Sequence, residues 1–126
     1  MGSIAKHFDS EKALTVYTVS GSVPAAEYAK HIHDFYVTGP VTQHVLWDLT
    51  GAELEHLLPE DVQSIAKTPR KFTEERAGGR TAIVAPSDLA FGLARMYEFS
   101  SDPTEVPVEV RVFRSVEEAS QWLQEG

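Results

Sequence analysis

The chain has 126 residues, a length that fits one domain with a hydrophobic core of its own. Its net charge of −8 argues against binding to nucleic acid or to an anionic membrane surface, since both require clustered cations. The absence of cysteine excludes disulfide scaffolds, thiolate metal sites and cysteine nucleophiles, and it fits a cytoplasmic protein. We recognise no signal peptide, and no apolar run approaches the ~20 residues of a membrane span.

The first part of the chain predicts a β-hairpin. Residues 4–8 and 13–19 have the composition of strands, and a polar turn at residues 9–12 joins them. Because side chains alternate along a strand, Tyr17 and Val19 share one face of the second strand.

A helix and a buried strand follow the hairpin. Pro24 suits the first turn of a helix, and apolar residues recur at helical spacing over residues 25–36. Gly39 and Pro40 end this helix. Residues 44–49 (HVLWDL) form a mostly apolar run, which is typical of a strand buried on both faces.

The middle of the chain predicts two more helices and another strand. Pro59 and the two acidic residues after it favour a helix start. Pro69 interrupts the apolar pattern, so we expect this helix to end or kink just before it. Residues 81–85 (TAIVA) predict a buried strand, Ser87 caps the third helix, and residues 102–103 (Asp-Pro) end it.

The C-terminal part predicts a last strand and a last helix. Residues 108–114 (VEVRVFR) alternate, with Phe113 and two charged residues on one face. Ser115–Glu118 form a capping box at the start of the helix. The order β-β-α-β-α-β-α-β-α predicts one α/β domain over residues 1–126, with a mixed five-stranded sheet and right-handed crossovers.

The chain lacks the motifs of common catalytic and cofactor sites. The turn at residues 20–24 has one glycine, whereas a dinucleotide-binding turn needs several. G-x-x-x-x-G-K-[ST], G-x-S-x-G and H-E-x-x-H are all absent from the sequence. His31 and His33 lie two residues apart on a helix and so point in different directions. We therefore expect no enzymatic activity, no cofactor and no metal.

One segment is basic although the chain as a whole is acidic. Five of the 11 basic residues lie within it, and two glutamates leave the segment with a net charge of +3. It predicts either a docking site for a small anion or an acidic partner, or a solvated helix face. The basic residues are Lys67, Arg70, Lys71, Arg76 and Arg80.

Two stretches of the C-terminal half resemble the SpoIIAA-like proteins, small bacterial domains related to STAS domains and often labelled STAS/SEC14. The first reads RTAIVAPSDLAFGLARMYE (residues 80–98), and the second reads VRVFRSVEEASQWL (residues 110–123). The order of strands and helices fits the family over nearly the whole chain. The resemblance implies a SpoIIAA/STAS-like domain, with a mixed sheet and helices mainly on one face.

The resemblance also bears on regulation. In the related anti-sigma-factor antagonists, a partner kinase phosphorylates a serine in an Asp-Ser-Ser-Gly motif, shortly after a strand that ends Leu-Asp-Leu-Ser. Here the strand ends WDLT (residues 47–50), and the helix start at residues 57–61 (LLPED) contains no hydroxyl group. The resemblance therefore implies a non-enzymatic protein-interaction or regulatory domain without that phosphorylation motif.

The sequence leaves two functions open. If helices cover one face of the sheet, Tyr17, Val19 and Phe113 would project from the other face as an apolar partner surface, which also suits a homodimer. The alternative, to which the SEC14 label points, is the binding of a small apolar ligand or lipid. The aromatic residues that would line its cleft are Phe35, Tyr36, Phe91, Tyr97 and Phe99.

Overall fold

The structure is a computed structural model and describes residues 2–68, 73–101 and 108–125. Its strands are β1 (Ser3–Asp9), β2 (Leu14–Ser22), β3 (His44–Glu53), β4 (Gly79–Val84) and β5 (Val108–Phe113). Its helices are α1 (Ala25–Val37), α2 (Pro59–Ala66), α3 (Asp88–Ser100) and α4 (Val116–Glu125), with a short 3-10 helix at Thr73–Arg76. Within the described residues, no helix has the length and apolar character needed to cross a lipid bilayer.

The described strands form one mixed sheet in the order β1-β2-β3-β4-β5. β1 and β2 make an antiparallel hairpin, and β2 to β5 are parallel to one another. Each crossover steps to the next strand in the same direction, so right-handed connections place α1, α2 and α3 on one face. α4 follows the last strand and packs on the opposite face. This is the predicted α/β architecture, with helices mainly on one face of the sheet.

The hydrophobic core has two parts, one on each side of the sheet. The larger part lies between the sheet and α1, α2 and α3, and it includes Tyr17 and Val45. In the smaller part, Trp122 and Leu123 of α4 cluster with strand residues such as Leu46. Because side chains alternate along β3, Val45 and Leu46 belong to different parts of the core.

β2 and β3 are longer than the sequence predicts. The expected ends lie at residues 19 and 49, whereas main-chain pairing continues between Ser20–Ser22 and Gly51–Glu53, beyond an irregularity after Thr18. Small and polar residues can join a parallel ladder through their main-chain groups alone, without the side-chain pattern of a strand. The extension brings the end of β2 close to the loop that follows β3.

The predicted side-chain caps at Ser87 and Ser115 are confirmed, whereas the reciprocal bond of a capping box, from the Ser115 main-chain nitrogen to Glu118, is not among the described hydrogen bonds. The Ser87 hydroxyl accepts a hydrogen bond from the main-chain nitrogen of Ala90 at 3.1 Å. The Ser115 hydroxyl accepts one from the main-chain nitrogen of Glu118 at 3.2 Å and donates to the Glu118 carboxylate at 3.1 Å. The predicted end of the third helix, at residues 102–103, lies outside the described residues.

Candidate functional site

An apolar cavity of about 80 Å³ lies between the sheet and α1, α2 and α3. Its floor is formed towards the carboxyl ends of β3 and β4, the edge at which open α/β sheets bind their ligands. Among the described residues that line it, none carries a charge. The lining includes Tyr28, Ile32, Trp47, Ile65, Ile83 and Ala94.

Trp47 connects the cavity floor to the rest of the core. Its indole stacks on the ring of Tyr17 with centroids 4.4 Å apart and an interplanar angle of 17°, and it lies 6.0 Å from the ring of Tyr28. The strand register places Trp47 between Tyr17 on β2 and Ile83 on β4. Three neighbouring strands therefore present large side chains to one face, and those of Trp47 and Ile83 line the cavity.

Tyr28 belongs to the lining of this cavity and carries a buried hydroxyl. The residue is 7% exposed, and its hydroxyl has no hydrogen-bond partner among the described residues. Burial raises the pKa of Tyr28 to about 12, so the phenol stays protonated at physiological pH and can donate a hydrogen bond. A buried polar group without a partner destabilises a protein by roughly 1–3 kcal/mol.

The cavity also depends on a small side chain in α3. Leu93 and Ala94 are both buried on that helix, and both line the cavity, but the side chain of Ala94 ends at its Cβ atom. Ala94 therefore leaves space between α3 and the sheet that a larger side chain would fill.

The predicted aromatic cleft and the observed cavity overlap in one residue. Tyr97 lines the cavity. Phe35 and Tyr36 are buried in the core beside a second, smaller cavity of about 30 Å³. Phe99 is 76% exposed, and Phe91 is half-buried beneath the guanidinium group of Arg114.

The predicted partner surface of Tyr17, Val19 and Phe113 is not assembled in the structure. Tyr17 is 2% exposed and Val19 is fully buried, because both point towards the face that α1, α2 and α3 cover. Phe113 points to the opposite face, where its ring lies 5.4 Å from that of Trp122 on α4. The assumption that these residues share an uncovered face is therefore wrong.

Arg76, which we predicted to belong to an anion-binding patch, is buried with 2% of its surface exposed. Its Nε and Nη2 atoms donate to the carbonyl oxygen of Gln43 at 3.1 and 3.0 Å. Its Nη1 donates to the Tyr36 hydroxyl at 3.0 Å, and its Nη2 also donates to the carbonyl oxygen of Arg80 at 3.1 Å. These bonds join α1, β4 and the loop that precedes β3. Arg76 therefore has a structural role and is not available to a partner.

The other basic residues do not complete the predicted patch. Arg80 is half-buried; its Nη1 donates to the carbonyl oxygen of Trp122 at 2.6 Å, and its guanidinium lies 4.8 Å from the Trp122 ring centroid. Lys67 is exposed at the end of α2. Arg70 and Lys71 lie outside the described residues.

The structure brings together one pair that the sequence did not reveal. Ser22 and His56 lie 34 residues apart, and the Ser22 hydroxyl is 3.2 Å from Nδ1 of His56. Nε2 of His56 is 2.7 Å from the carbonyl oxygen of Val23, so Nε2 carries the proton and Nδ1 accepts from Ser22. The pairing depends on the extension of β2 and β3 beyond their predicted ends. In the described part of the chain, no group of three or more metal-ligating side chains could hold a metal ion.

His44, at the start of β3, is a buried titratable residue near Arg76. It is 7% exposed, and its Nδ1 accepts a hydrogen bond from the main-chain nitrogen of Arg80 at 3.1 Å. Burial lowers the pKa of His44, and the positive charges of Arg76 and Arg80 lower it further. The folded protein therefore favours the neutral imidazole.

Comparisons with known proteins identify the fold. No protein-family model matches the sequence, and no curated protein matches it either. Among solved structures, the chain is similar to the crystal structure of an uncharacterised protein of the DUF3478 family from Shewanella loihica PV-4, which is described as having a SpoIIAA-like fold. The two share 15% sequence identity with a TM-score of 0.52, over 97% of this chain and 93% of that one. The chain thus has the SpoIIAA-like α/β fold, as its resemblance to that family implied.

Replacing Arg76 by methionine is expected to lower the free energy of unfolding by roughly 3 kcal/mol, because two part-buried carbonyl oxygens and a buried tyrosine hydroxyl each lose a charged donor. Urea denaturation measures the loss. Arg95→Met is the matched control; Arg95 is exposed, with a 3.7 Å ion pair to Glu98, and its loss should change stability by less than about 0.5 kcal/mol. Equal effects in the two variants would contradict a bracing role for Arg76.

His44 predicts a pH dependence of stability. Its pKa is lower in the folded state than the ordinary value of 6.5, so the unfolded chain binds more protons below about pH 6.5. The contribution of His44 is therefore complete above that pH and is lost as the pH falls. His44→Gln should reduce the drop in urea midpoint between about pH 7.5 and 5.5, whereas His7→Gln, at an exposed position of β1, should leave the drop unchanged. Identical drops in both variants would contradict this role.

Proposed function

We propose that the protein is a non-enzymatic binding module that takes up a small apolar molecule between the sheet and α1, α2 and α3. The observation that carries the proposal is the apolar cavity of about 80 Å³ at the carboxyl ends of β3 and β4. Among the described side chains that line it, none is charged, so the affinity would come from the burial of apolar surface.

The cavity volume indicates the size of the ligand. It is roughly half that of an engineered apolar cavity of about 150 Å³ that takes up benzene. A cavity of this volume suits a short or branched alkyl group. Each buried CH₂ group contributes about 0.8 kcal/mol, so a ligand of a few carbon atoms would bind with a dissociation constant in the millimolar range.

The non-enzymatic part of the proposal rests on the chemistry of the site. The described lining holds no carboxylate, imidazole or ammonium group that could act as a general acid or base. Ser22 and His56 lie outside the lining, and His56 is exposed to solvent. The second ring nitrogen of His56 contacts a main-chain carbonyl, whereas hydrolytic triads have a carboxylate there to stabilise the imidazolium ion.

The second candidate function is the binding of a protein partner at this edge of the sheet. Leu58 and Leu89 lie at the starts of α2 and α3 and are 52% and 46% exposed. An apolar side chain of a partner could use the same cavity as an anchor point. The homodimer remains a prediction, and light scattering at high protein concentration tests it.

Filling the cavity is expected to abolish binding. Xenon is a small apolar probe, and under pressure it should cause saturable NMR shifts in the methyl groups that line the cavity, such as those of Ile32 and Ile65. Ala94→Val should weaken the xenon affinity at least about tenfold, because its added methyl groups occupy the space.

Ala90→Val is the matched control for this experiment. Ala90 is buried one turn earlier on the same helix and is not part of the lining, so its variant should bind xenon as the wild type does. Xenon shifts that do not saturate, or that are equal in the two variants, would overturn the proposal.

The Ser22 hydroxyl is expected not to behave as a catalytic nucleophile. A fluorophosphonate probe, which forms a phosphorus–oxygen bond with activated serines and releases fluoride, should leave the intact mass of the protein unchanged. His56→Gln should give the same result. A stoichiometric adduct on Ser22 that disappears in His56→Gln would contradict the non-enzymatic proposal.

A further inference from the structure

β5 is the terminal strand of the described sheet, so one of its sides has no neighbouring strand. The carbonyl oxygen of Phe113 accepts a hydrogen bond from the main-chain nitrogen of Ala85 at 2.8 Å, so the main-chain groups of Phe113 point towards β4. Because these groups alternate in direction along a strand, those of Val108, Val110 and Val112 point away from β4. Among the described residues, none bonds to these outward groups. β5 therefore offers an open main-chain edge.

This edge lacks the features that protect exposed strands from pairing. Natural proteins blunt their edge strands with lysine, proline or a β-bulge. Residues 108–113 (VEVRVF) contain no lysine or proline, and their register with β4 is unbroken. At the other edge, β1 carries Lys6 at its midpoint, so two copies of β1 paired about that midpoint would place two lysines opposite each other. Of the two edges, β5 is the one suited to pairing.

β5 also carries two exposed charges of opposite sign on one face. Glu109 and Arg111 lie two residues apart, and neither forms an ion pair with a described residue. The guanidinium group of Arg111 lies 5.4 and 5.5 Å from the ring centroids of Phe113 and Trp122, which places it on the face that α4 covers. A partner strand with the same two charges in antiparallel order would pair with both. A second copy of β5 is such a strand.

We propose that two copies of the chain form a dimer in which their β5 strands pair antiparallel about a two-fold axis at Val110. In a symmetric interface of this kind, residue i of one copy contacts residue j of the other, and j contacts i. Glu109 therefore lies opposite the partner's Arg111, and Arg111 lies opposite the partner's Glu109. No described residue of β5 lines the apolar cavity, so this proposal does not rest on the proposed function.

The charges and the main-chain groups select the same register. An axis at Glu109 would place two glutamates opposite each other, and an axis at Arg111 would place two arginines opposite each other, which destabilises either pairing. Within β5, an axis at Val110 forms about six main-chain hydrogen bonds, whereas either alternative forms about four. Glu109 and the partner's Arg111 then make a non-hydrogen-bonded pair, in which the Cα atoms lie about 4.5 Å apart. Their side chains are therefore close enough to form an ion pair.

Sedimentation equilibrium tests whether the dimer forms. One strand from each copy makes a small interface, so we expect a dissociation constant between about 10 μM and 1 mM. The average mass should therefore rise from that of one chain towards that of two as the protein concentration approaches ~1 mM. A mass that remains that of one chain up to this concentration would overturn the proposal.

Charge variants test the register. Arg111→Glu places glutamates opposite each other and should raise the dissociation constant at least about tenfold. Adding Glu109→Arg to this variant restores opposite charges in reverse order and should recover the affinity to within about threefold of the wild type. Lys6→Glu is the control, because it changes the net charge equally at an exposed position of the other edge strand and should leave the dissociation constant unchanged. Equal weakening by the two single variants, or no recovery in the double variant, contradicts the interface.

A nuclear Overhauser effect between main-chain protons gives a direct measurement on the wild-type protein. In the proposed register, the Hα atoms of Glu109 and of the partner's Arg111 face each other, whereas within one strand the two residues lie roughly 6.6 Å apart. A mixture of isotope-labelled and unlabelled protein at millimolar concentration should therefore show a strong Hα–Hα signal between copies. A dimer that lacks this signal uses a different interface, and the proposal is then wrong.

Discussion

The steady progression of parallel strands across the sheet is the constraint on which the rest of the structure depends. Because every crossover after β2 steps the same way, right-handed connections bring α1, α2 and α3 to one face. Tyr17, Trp47 and Ile83 point to that face, so three helices cover the large side chains of three neighbouring strands. On the other face, Leu46 and Val84 would be open to water without α4. One topological rule thus explains both the two-part core and the position of the cavity.

The same constraint shows why the fold could be predicted further than the site. Alternation within β5 and the helix cap at Ser115 are local, and the sequence predicts both correctly. The register between strands that are far apart in the sequence is not a local property. Register pairs Tyr17 with Trp47, Trp47 with Ile83, and Ile83 with Val112, so Phe113 must point away from Tyr17. Two correct alternation patterns therefore led to a wrong shared surface, since no pattern within one strand contains the register between strands.

The charge pattern of the sequence is a similarly limited guide to the site. Arg76 belongs to a basic segment of the sequence, but in the structure its guanidinium group donates hydrogen bonds to the main-chain carbonyl oxygens of Gln43 and Arg80. Counting charges shows how many cations a segment contains and does not show which of them reach solvent. Ser22 and His56 show the opposite case, a contact that the structure forms and the sequence does not predict. The contact requires β2 and β3 to pair beyond the ends that the sequence predicts for them.

Two tyrosines of α1 show how differently the fold treats two buried hydroxyl groups. Tyr28 and Tyr36 lie two turns apart and are both buried. The fold supplies the hydroxyl of Tyr36 with a donor from Arg76, whereas the hydroxyl of Tyr28 receives no partner from the described residues. A phenylalanine at position 28 would fill the same apolar space without the free-energy cost of an unpaired hydroxyl. The hydroxyl of Tyr28 therefore lowers the stability of the fold, whereas the hydroxyl of Tyr36 contributes to it.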